Sequence, residues 1–515
     1  MTNERLPYAG PIGMILPGAL VRTGAGLARS VMNRSSAFTR RGISNYILVD
    51  AWQPNLEEQV ALIKADGLLP ESTDVLSMHR DFANEPEQKS GFEFESMQFA
   101  DYIEGLRKEV DPARPEIERY YAGGKYVLFV AREQAGRKIG FADHLREGSR
   151  YKRSYFNGQG REVRAILYDE DNRPSVDEYF TVSGRRYLIS HEPLSTRGSY
   201  TFLKPDLTTV KFETPGHLAH YWLTTYHSEL VTDAVLISEY ATRLHGLQQL
   251  RITNNCRVVY TLHSSHLGGS HRFGDPVKPE LKETLESIAN MDALVVLTPQ
   301  QRLDIIKEYG NGYIRSIPHS VSMRAIERGE GMRERGLIVM LGRLSPEKQI
   351  TSVVQQFAKL AKEFPQAVLE IWGIGPEESK IAKMIEETAM VGRVKLMGFT
   401  AEPLIQYSRA EVAIFASSYE GQSLSLLEAL AQGCVPISYD FKYGPRMMIQ
   451  DCVNGMIVDQ NDAADLLTTA FTLLRDPDYL AQLSSNSKKS SDVFSEDAMV
   501  DAWLEVIDDL RNSKV

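Results

Sequence analysis

The chain has 515 residues, 43% of them hydrophobic, and 58 basic against 68 acidic side chains give a net charge of −10. That length exceeds a single hydrophobic core and sets an expectation of roughly two or three domains. The acidic balance disfavours nucleic acid as a general partner, and no apolar run approaches the ~20 residues that span a bilayer, which leaves at most peripheral membrane association. Three cysteines without metal-ligand spacing fit a reducing cytoplasm.

From the start, YAGPIGMILPGALV, RTGAGLARSVMNRSSAF and ISNYILVD read as a strand, a glycine loop opening a helix, and a second strand. Residues 11–21 are short, broken by Gly and Pro, and lack a basic flank, so they read as a first buried strand and not a signal peptide. The loop holding Gly24 and Gly26 suits close approach to a phosphate or an acceptor, although tight strand–helix turns also use Gly for steric reasons alone. From about residue 76 the pattern changes to short, aromatic, alternating runs at 126–130, 151–156, 162–168, 176–182, 186–189 and 200–203. Turn signals such as Asn157-Gly158 and Ser183-Gly184 separate them, which is the pattern of an antiparallel β-meander. A dense basic run, Arg146, Arg150, Lys152, Arg153, Arg161 and Arg164, with Arg185 and Arg186 beyond, lies on this segment and suggests a cationic track for a polyanion.

The helical and parallel-strand pattern resumes near residue 214, so the meander is inserted into the first domain. That domain finishes with AVLISEY, RVVYTLHSSHLG, ALVVLT and YIRSIPHSV. A second domain opens at GLIVMLGRLSPEKQI and alternates strand and helix through VLEIWGIGP, RVKLMGFT and VAIFASSYEG. The expected bounds are 1–75 with 215–320 for the first domain, 76–214 for the insertion and 321–494 for the second domain. A last helix over 495–511 carries Trp503 and is expected to cross back onto the first domain.

Two glutamates eight residues apart, Glu420 and Glu428, stand in YEGQSLSLLEALAQGCVPISYD. Residues 419–423 read as a polar loop after the strand VAIFAS, and LSLLEALAQ as a helix stopped by Gly433. The loop therefore ends at a helix N-terminus, where free N–H groups and the helix dipole favour anions. Ligands of parallel sheets sit at such carboxyl ends of strands. Upstream, Arg343 and Lys348 in GRLSPEKQ put two cations in a strand-to-helix loop, a pairing suited to a diphosphate. His263 and His266 follow the strand RVVYTL, and the H-x-x-H spacing lacks an evident third metal ligand.

The segment containing Glu420 and Glu428 resembles the E-x7-E signature of retaining GT-B glycosyltransferases of family 4. KYGPRMMIQDCVNGMIV (442–458) resembles the subgroup that glycosylates wall teichoic acids and serine-rich adhesins. The resemblance implies two Rossmann-like domains facing across a cleft, with the inserted β-domain in contact with the acceptor or mediating oligomerisation, in some members as a trimer. It implies that Arg343 and Lys348 neutralise the departing UDP without a metal, and that Glu428 accepts hydrogen bonds from the ribose. Glu420 would hold a hydroxyl of the donor sugar, and the amides of Gln422, Ser423, Leu424 and Ser425 would cap sugar and phosphate. His263 would face the donor from the first domain, with His266 as the alternative, and the Gly24–Gly26 loop would face it across the cleft. Gly373, Gly398 and Phe399 would stand against uracil. Gln422 and Ser423 occupy positions where the broad family has an aromatic residue and a glycine, which affects contacts to the sugar.

The function expected is transfer of glucose or N-acetylglucosamine from UDP-glucose or UDP-N-acetylglucosamine to a wall teichoic acid, with no cofactor. No carboxylate stands out as a nucleophile, which favours front-face transfer. Competing functions are glycosylation of Ser or Thr in an adhesin before export, and a non-enzymatic GT-B partner subunit. The four charged residues argue against the second, because a pure binder need not keep diphosphate ligands. An epimerase is disfavoured by the inserted meander and a phosphorylase by the lack of a cofactor-lysine motif.

Overall fold

A computed structural model of the protein describes residues 10–22, 26–85, 97–133, 138–191, 198–241, 244–321 and 333–512. The first domain is built on a seven-stranded parallel sheet. Its strands run, edge to edge, Ile314–Ser316, Ala293–Val296, Arg257–Leu262, Val235–Ser238, Ile12–Leu16, Asn45–Val49 and Asp74–Ser77. Val, Ile and Leu fill most of the inner strands, which are buried on both faces, as parallel sheets covered by helices require. The second domain has a six-stranded parallel sheet, ordered Val394–Gly398, Val368–Trp372, Leu337–Leu341, Val412–Phe415, Val435–Tyr439 and Met456–Val458. Strand order reverses within each sheet, so each has a crevice at its carboxyl edge where a ligand can sit. This is the GT-B arrangement.

The insertion is a ten-stranded antiparallel sheet in which every strand pairs with its sequence neighbour, from Arg107–Asp111 to Thr209–Phe212. Residue 76, expected as its start, falls inside Asp74–Ser77, the edge strand of the first parallel sheet. Helix Met78–Ala83 also belongs to the first domain, because Met78 and Phe82 share its core. Half of the insertion shares that core as well: Tyr179, Tyr187, Leu188, Phe202 and Phe212 pack with Leu48, Leu218 and Trp222. The far half closes on its own small cluster around Phe99, Tyr120, Leu128 and Phe156.

The basic run on the insertion is partly neutralised: four carboxylates on adjacent strands, Asp143, Glu162, Asp177 and Glu178, pair with five of its eight cations. Arg153 pairs with Asp143 at 2.7 Å, with Arg150 3.4 Å from the same carboxylate. Lys152 pairs with Glu162 at 2.9 Å, Arg164 with Asp177 at 2.6 Å, and Arg186 with Glu178. Arg161 donates to the Val182 carbonyl and the buried Arg185 to that of Leu203. Arg146 lies over the Tyr151 ring. Opposite charges facing each other across strands stabilise the sheet, while Arg146, Arg161 and Arg185 meet a ring or carbonyl oxygens and keep their charge.

The final helix, Glu496–Asn512, packs on the first domain. Trp503, Leu504, Ile507 and Leu510 complete the first domain's core, and the Arg34 guanidinium stacks over Trp503 at 4.7 Å. Among the described residues no helix is long and apolar enough to cross a membrane.

Candidate active site

A cavity of about 760 Å³ lies between the two parallel-sheet domains. From the second domain it is lined by the loop after Leu337–Leu341 with Arg343, by Trp372 to Pro376, by Phe399 to Ala401, and by Leu424, Ser425 and Glu428. From the first domain Arg22, Gly26, Arg29, Met32 and Asn33 close it. Gly24 lies outside the described residues.

Glycine makes the wall possible. A Cβ on Gly373 would lie 1.8 Å from the Gly342 carbonyl oxygen, and one on Gly375 2.3 Å from that of Leu344. Any side chain at these positions would push the Arg343 loop away from the neighbouring strand end. The Gly373 N–H instead donates to the Gly398 carbonyl at 2.7 Å, which ties the two wall loops together. Trp372, Ile374 and Phe399 give this wall an apolar, partly aromatic surface suited to a flat base.

The polar end is built from three features. Arg343 is exposed, and its guanidinium makes no hydrogen bond or ion pair among the described residues, so it is available to a ligand. Helix Leu424–Ala431 opens at Ser423 with no side-chain cap, so first-turn N–H groups are available beside Leu424 and Ser425, both of which line the cavity. Glu428 lies one turn further in with its side chain 15% exposed, 3.7 Å from the Arg29 guanidinium of the first domain. Burial raises the Glu428 carboxyl above its ordinary value, and Arg29 partly offsets this. Arg29 escaped sequence reasoning. Its position two residues beyond the start of helix Leu27–Arg40, after the glycine loop, was the available signal.

Lys348 and Glu420 form an ion pair with each other, and Ser417 donates to the same Glu420 oxygen at 3.1 Å. Lys348, Arg343 and Ser417 border a small adjoining cavity at the carboxyl ends of Leu337–Leu341 and Val412–Phe415. Thus the two cations expected to act together differ in state. Arg343 is free, whereas Lys348 is held by Glu420.

His263 enters from the other domain at the end of strand Arg257–Leu262. Its Nε2 lies 2.7 Å from Glu239, a fully buried carboxylate that also pairs with the buried Arg34. Burial pushes the Glu239 carboxyl up, but Arg34, His263 and Thr261 more than offset this and hold it below the ordinary value. The His263 ring stacks on His319 with centroids 5.5 Å apart, and burial keeps His319 neutral by lowering its pKa well below the usual range. A Cβ on Gly421 would meet the His263 carbonyl oxygen at 2.2 Å, so glycine there lets the Glu420 loop lie directly against His263. His266 is fully buried, stacks on Tyr443, and has a pKa pushed down to about 4 by burial. The His263 side chain is 17% exposed and lines a small cavity among first-domain and final-helix residues, not the large one.

Gln422 departs from the expectation of a sugar contact. Its side chain is 1% exposed, and its Oε1 accepts the His319 N–H at 2.6 Å, which joins the second domain to the first. Ser423, also buried, takes a left-handed backbone at φ 70 with no capping bond. Neither residue lines the large cavity, whereas Gly26, Arg343, Gly373, Phe399, Leu424, Ser425 and Glu428 do.

The profile of the family described as "Glycosyl transferases group 1" matches residues 324–490, the segment that carries Arg343, Lys348, Glu420 and Glu428. A poly(glycerol-phosphate) alpha-glucosyltransferase of Bacillus subtilis is 22% identical over 95% of this chain and 73% of its own length. A poly(ribitol-phosphate) alpha-N-acetylglucosaminyltransferase of Staphylococcus aureus is 23% identical over 93% of this chain and 96% of its own. Among solved structures, S. aureus TarM in complex with Fondaparinux, alpha-GlcNAc-glycerol and UDP superposes with a TM-score of 0.77 at 20% identity, covering 98% of this chain and all of that one. The protein therefore has the GT-B fold, matches the group 1 glycosyl transferase model over the segment around its candidate site, and is similar along nearly its whole length to teichoic acid α-glycosyltransferases.

Proposed function

We propose that the protein is a retaining, metal-independent glycosyltransferase that moves glucose or N-acetylglucosamine from a UDP-sugar to hydroxyls of a wall teichoic acid. The observation that carries this reading is one cavity combining a flat apolar wall, an uncapped helix N-terminus, an unpaired guanidinium and a half-buried carboxylate. Those four features answer a nucleobase, a diphosphate's oxygens, its charge and a ribose's hydroxyls in turn.

Departure of UDP places negative charge on the β-phosphate and positive character on the anomeric carbon. Arg343 and the helix amides stabilise the former by donors already in place, which is the economical form of electrostatic catalysis. Lys348 adds charge once a donor-sugar hydroxyl engages Glu420 and loosens their ion pair. In this reading Glu420, held by Lys348 in the free protein, takes a hydroxyl of the donor sugar, and His263, hydrogen-bonded to Glu239, serves from the first domain. The departing phosphate takes the acceptor proton on the face it leaves, which retains configuration. Arg343 and Lys348 supply the positive charge that a divalent ion would otherwise bring. The three cysteines are free, two of them buried, which suits a cytoplasmic site of action where UDP-sugars are made.

Relatives acting on polyol-phosphate polymers match 93–95% of the chain, whereas streptococcal peptide N-acetylglucosaminyltransferase GtfA subunits match 34–60%. That contrast favours the polymer over a protein acceptor. Incubation with each donor and either teichoic acid or a Ser-rich peptide tests it. Sugar incorporated into polymer alone supports the proposal, and incorporation into peptide alone overturns its acceptor.

A further inference from the structure

A second cavity, of about 370 Å³, lies where the insertion meets the first domain, and it shares no lining residue with the donor cavity. On the first domain's side it is lined by Asp50, Ala51 and Trp52, which follow strand Asn45–Val49, and by Met78 and His79, which follow Asp74–Ser77. It thus opens at the carboxyl ends of parallel strands, the edge at which the donor cavity also lies. The insertion contributes Arg164, Asp177, Tyr179, Ser190 and Tyr200.

The chemistry of these walls is specific. Trp52 is half-buried and clustered with Tyr155 and Tyr179, at centroid distances of 5.5 and 6.3 Å. The Arg164 guanidinium stacks over Trp52 at 4.8 Å while its Nε and Nη2 engage the buried Asp177 at 2.9 and 2.6 Å. Its Nη1 makes no hydrogen bond among the described residues. Asp50 is a buried carboxylate, and Ser190 adds a hydroxyl. Burial pushes the His79 pKa down to about 3, so the ring stays neutral. The Arg164 guanidinium is matched by the Asp177 carboxylate, so this pair offers a phosphate no uncompensated cation and favours an uncharged ligand. An aromatic face beside a fixed guanidinium and carboxylate fits a pyranose ring, whose C–H face packs on indole while its hydroxyls bond to the charged pair.

We propose that this junction cavity binds a glycosyl group already attached to the acceptor polymer, so that the protein recognises its own product next to the site of transfer. The proposal rests on the polymer-glycosylating function above. It makes the insertion's union with the first domain a recognition surface and not only a packing interface.

The test uses the full chain with Trp52→Leu, which keeps apolar bulk without the aromatic face, and Trp52→Phe, which keeps a face. KM is measured on unsubstituted polymer and on polymer already partly glycosylated, alongside the affinity for UDP. The leucine variant should raise KM on glycosylated polymer roughly three- to tenfold, the phenylalanine variant less, from the worth of one aromatic contact. KM on bare polymer and UDP affinity should stay at wild-type values. An unchanged KM on glycosylated polymer, or an equal rise on both polymers, overturns the proposal. Should wild-type protein transfer sugar to no polymer, the acceptor reading itself fails. The cavity is then judged by titrating UDP-saturated protein with methyl α-glucoside and following tryptophan fluorescence. A response present in wild type and absent in Trp52→Leu supports the site, and no response in wild type refutes it.

Discussion

Arg343→Ala and Lys348→Ala separate binding from stability, because the structure gives the two cations different surroundings. Arg343 is exposed and has no partner among the described residues, so its removal disturbs nothing in the free protein. The cost to folding should stay within about 0.5 kcal/mol, as for a surface site away from any network. A charge-assisted hydrogen bond to a diphosphate is worth about 1.5–3 kcal/mol, which is roughly a ten- to 150-fold loss of UDP affinity. Lys348 is different, since Glu420 relies on it and both side chains are only 21% exposed. Its removal leaves a half-buried carboxylate without its cation, so Lys348→Ala should lower the melting temperature as well as slow transfer. Calorimetric titration with UDP beside thermal unfolding reads both quantities on the same samples. Near wild-type UDP affinity in Arg343→Ala, or an unaltered melting temperature in Lys348→Ala, would refute the reasoning.

Ser423→Gly should stabilise the second domain by about 1 kcal/mol, because φ 70 strains any L side chain and the hydroxyl makes no cap; an unchanged or lowered melting temperature would contradict this. Glu428→Gln should weaken UDP binding yet raise the melting temperature at neutral pH. The Glu428 carboxyl is raised by burial, so its contribution to stability is intact below the ordinary carboxylate value and lost as pH rises through the folded value. The gain from glutamine should therefore vanish in acid, and a gain independent of pH would count against it. Arg153→Ala should destabilise the inserted sheet by about 1 kcal/mol by leaving Asp143 short of its nearest partner; intact stability with a raised polymer KM would favour the cationic track.

Much of the architecture was legible because hydrophobic period alone marks it. Apolar runs such as LIVML and VAIF can bury both faces, and aromatic alternation at 162–168 or 174–180 announces strands with one face packed. Arg107–Asp111 and Arg114–Ala122 were missed because charged residues crowd them, and Lys138–Arg146 because Gly140 and Asp143 interrupt its apolar positions; their cross-strand partners are invisible in one dimension. The same blindness hid the four carboxylates that pair with part of the basic run. In the site, residue type at a loop position revealed Arg343, Glu428 and the wall glycines, since free donors and close backbone approach have local signatures. The Gln422 side-chain contact was invisible because its partner, the His319 N–H, lies 103 residues away and belongs to the other domain. Trp52 carried no signal, and Arg164 only that of a basic run, until the fold brought them together.

The most direct test of the account is UDP release from a panel of UDP-sugars, with and without poly(glycerol-phosphate) or poly(ribitol-phosphate), in the presence of EDTA. The account predicts polymer-dependent release from UDP-glucose or UDP-N-acetylglucosamine that EDTA leaves unchanged, with an α-linked product by NMR. Release that no polymer stimulates, a strict requirement for a divalent ion, or a β-linked product would contradict it.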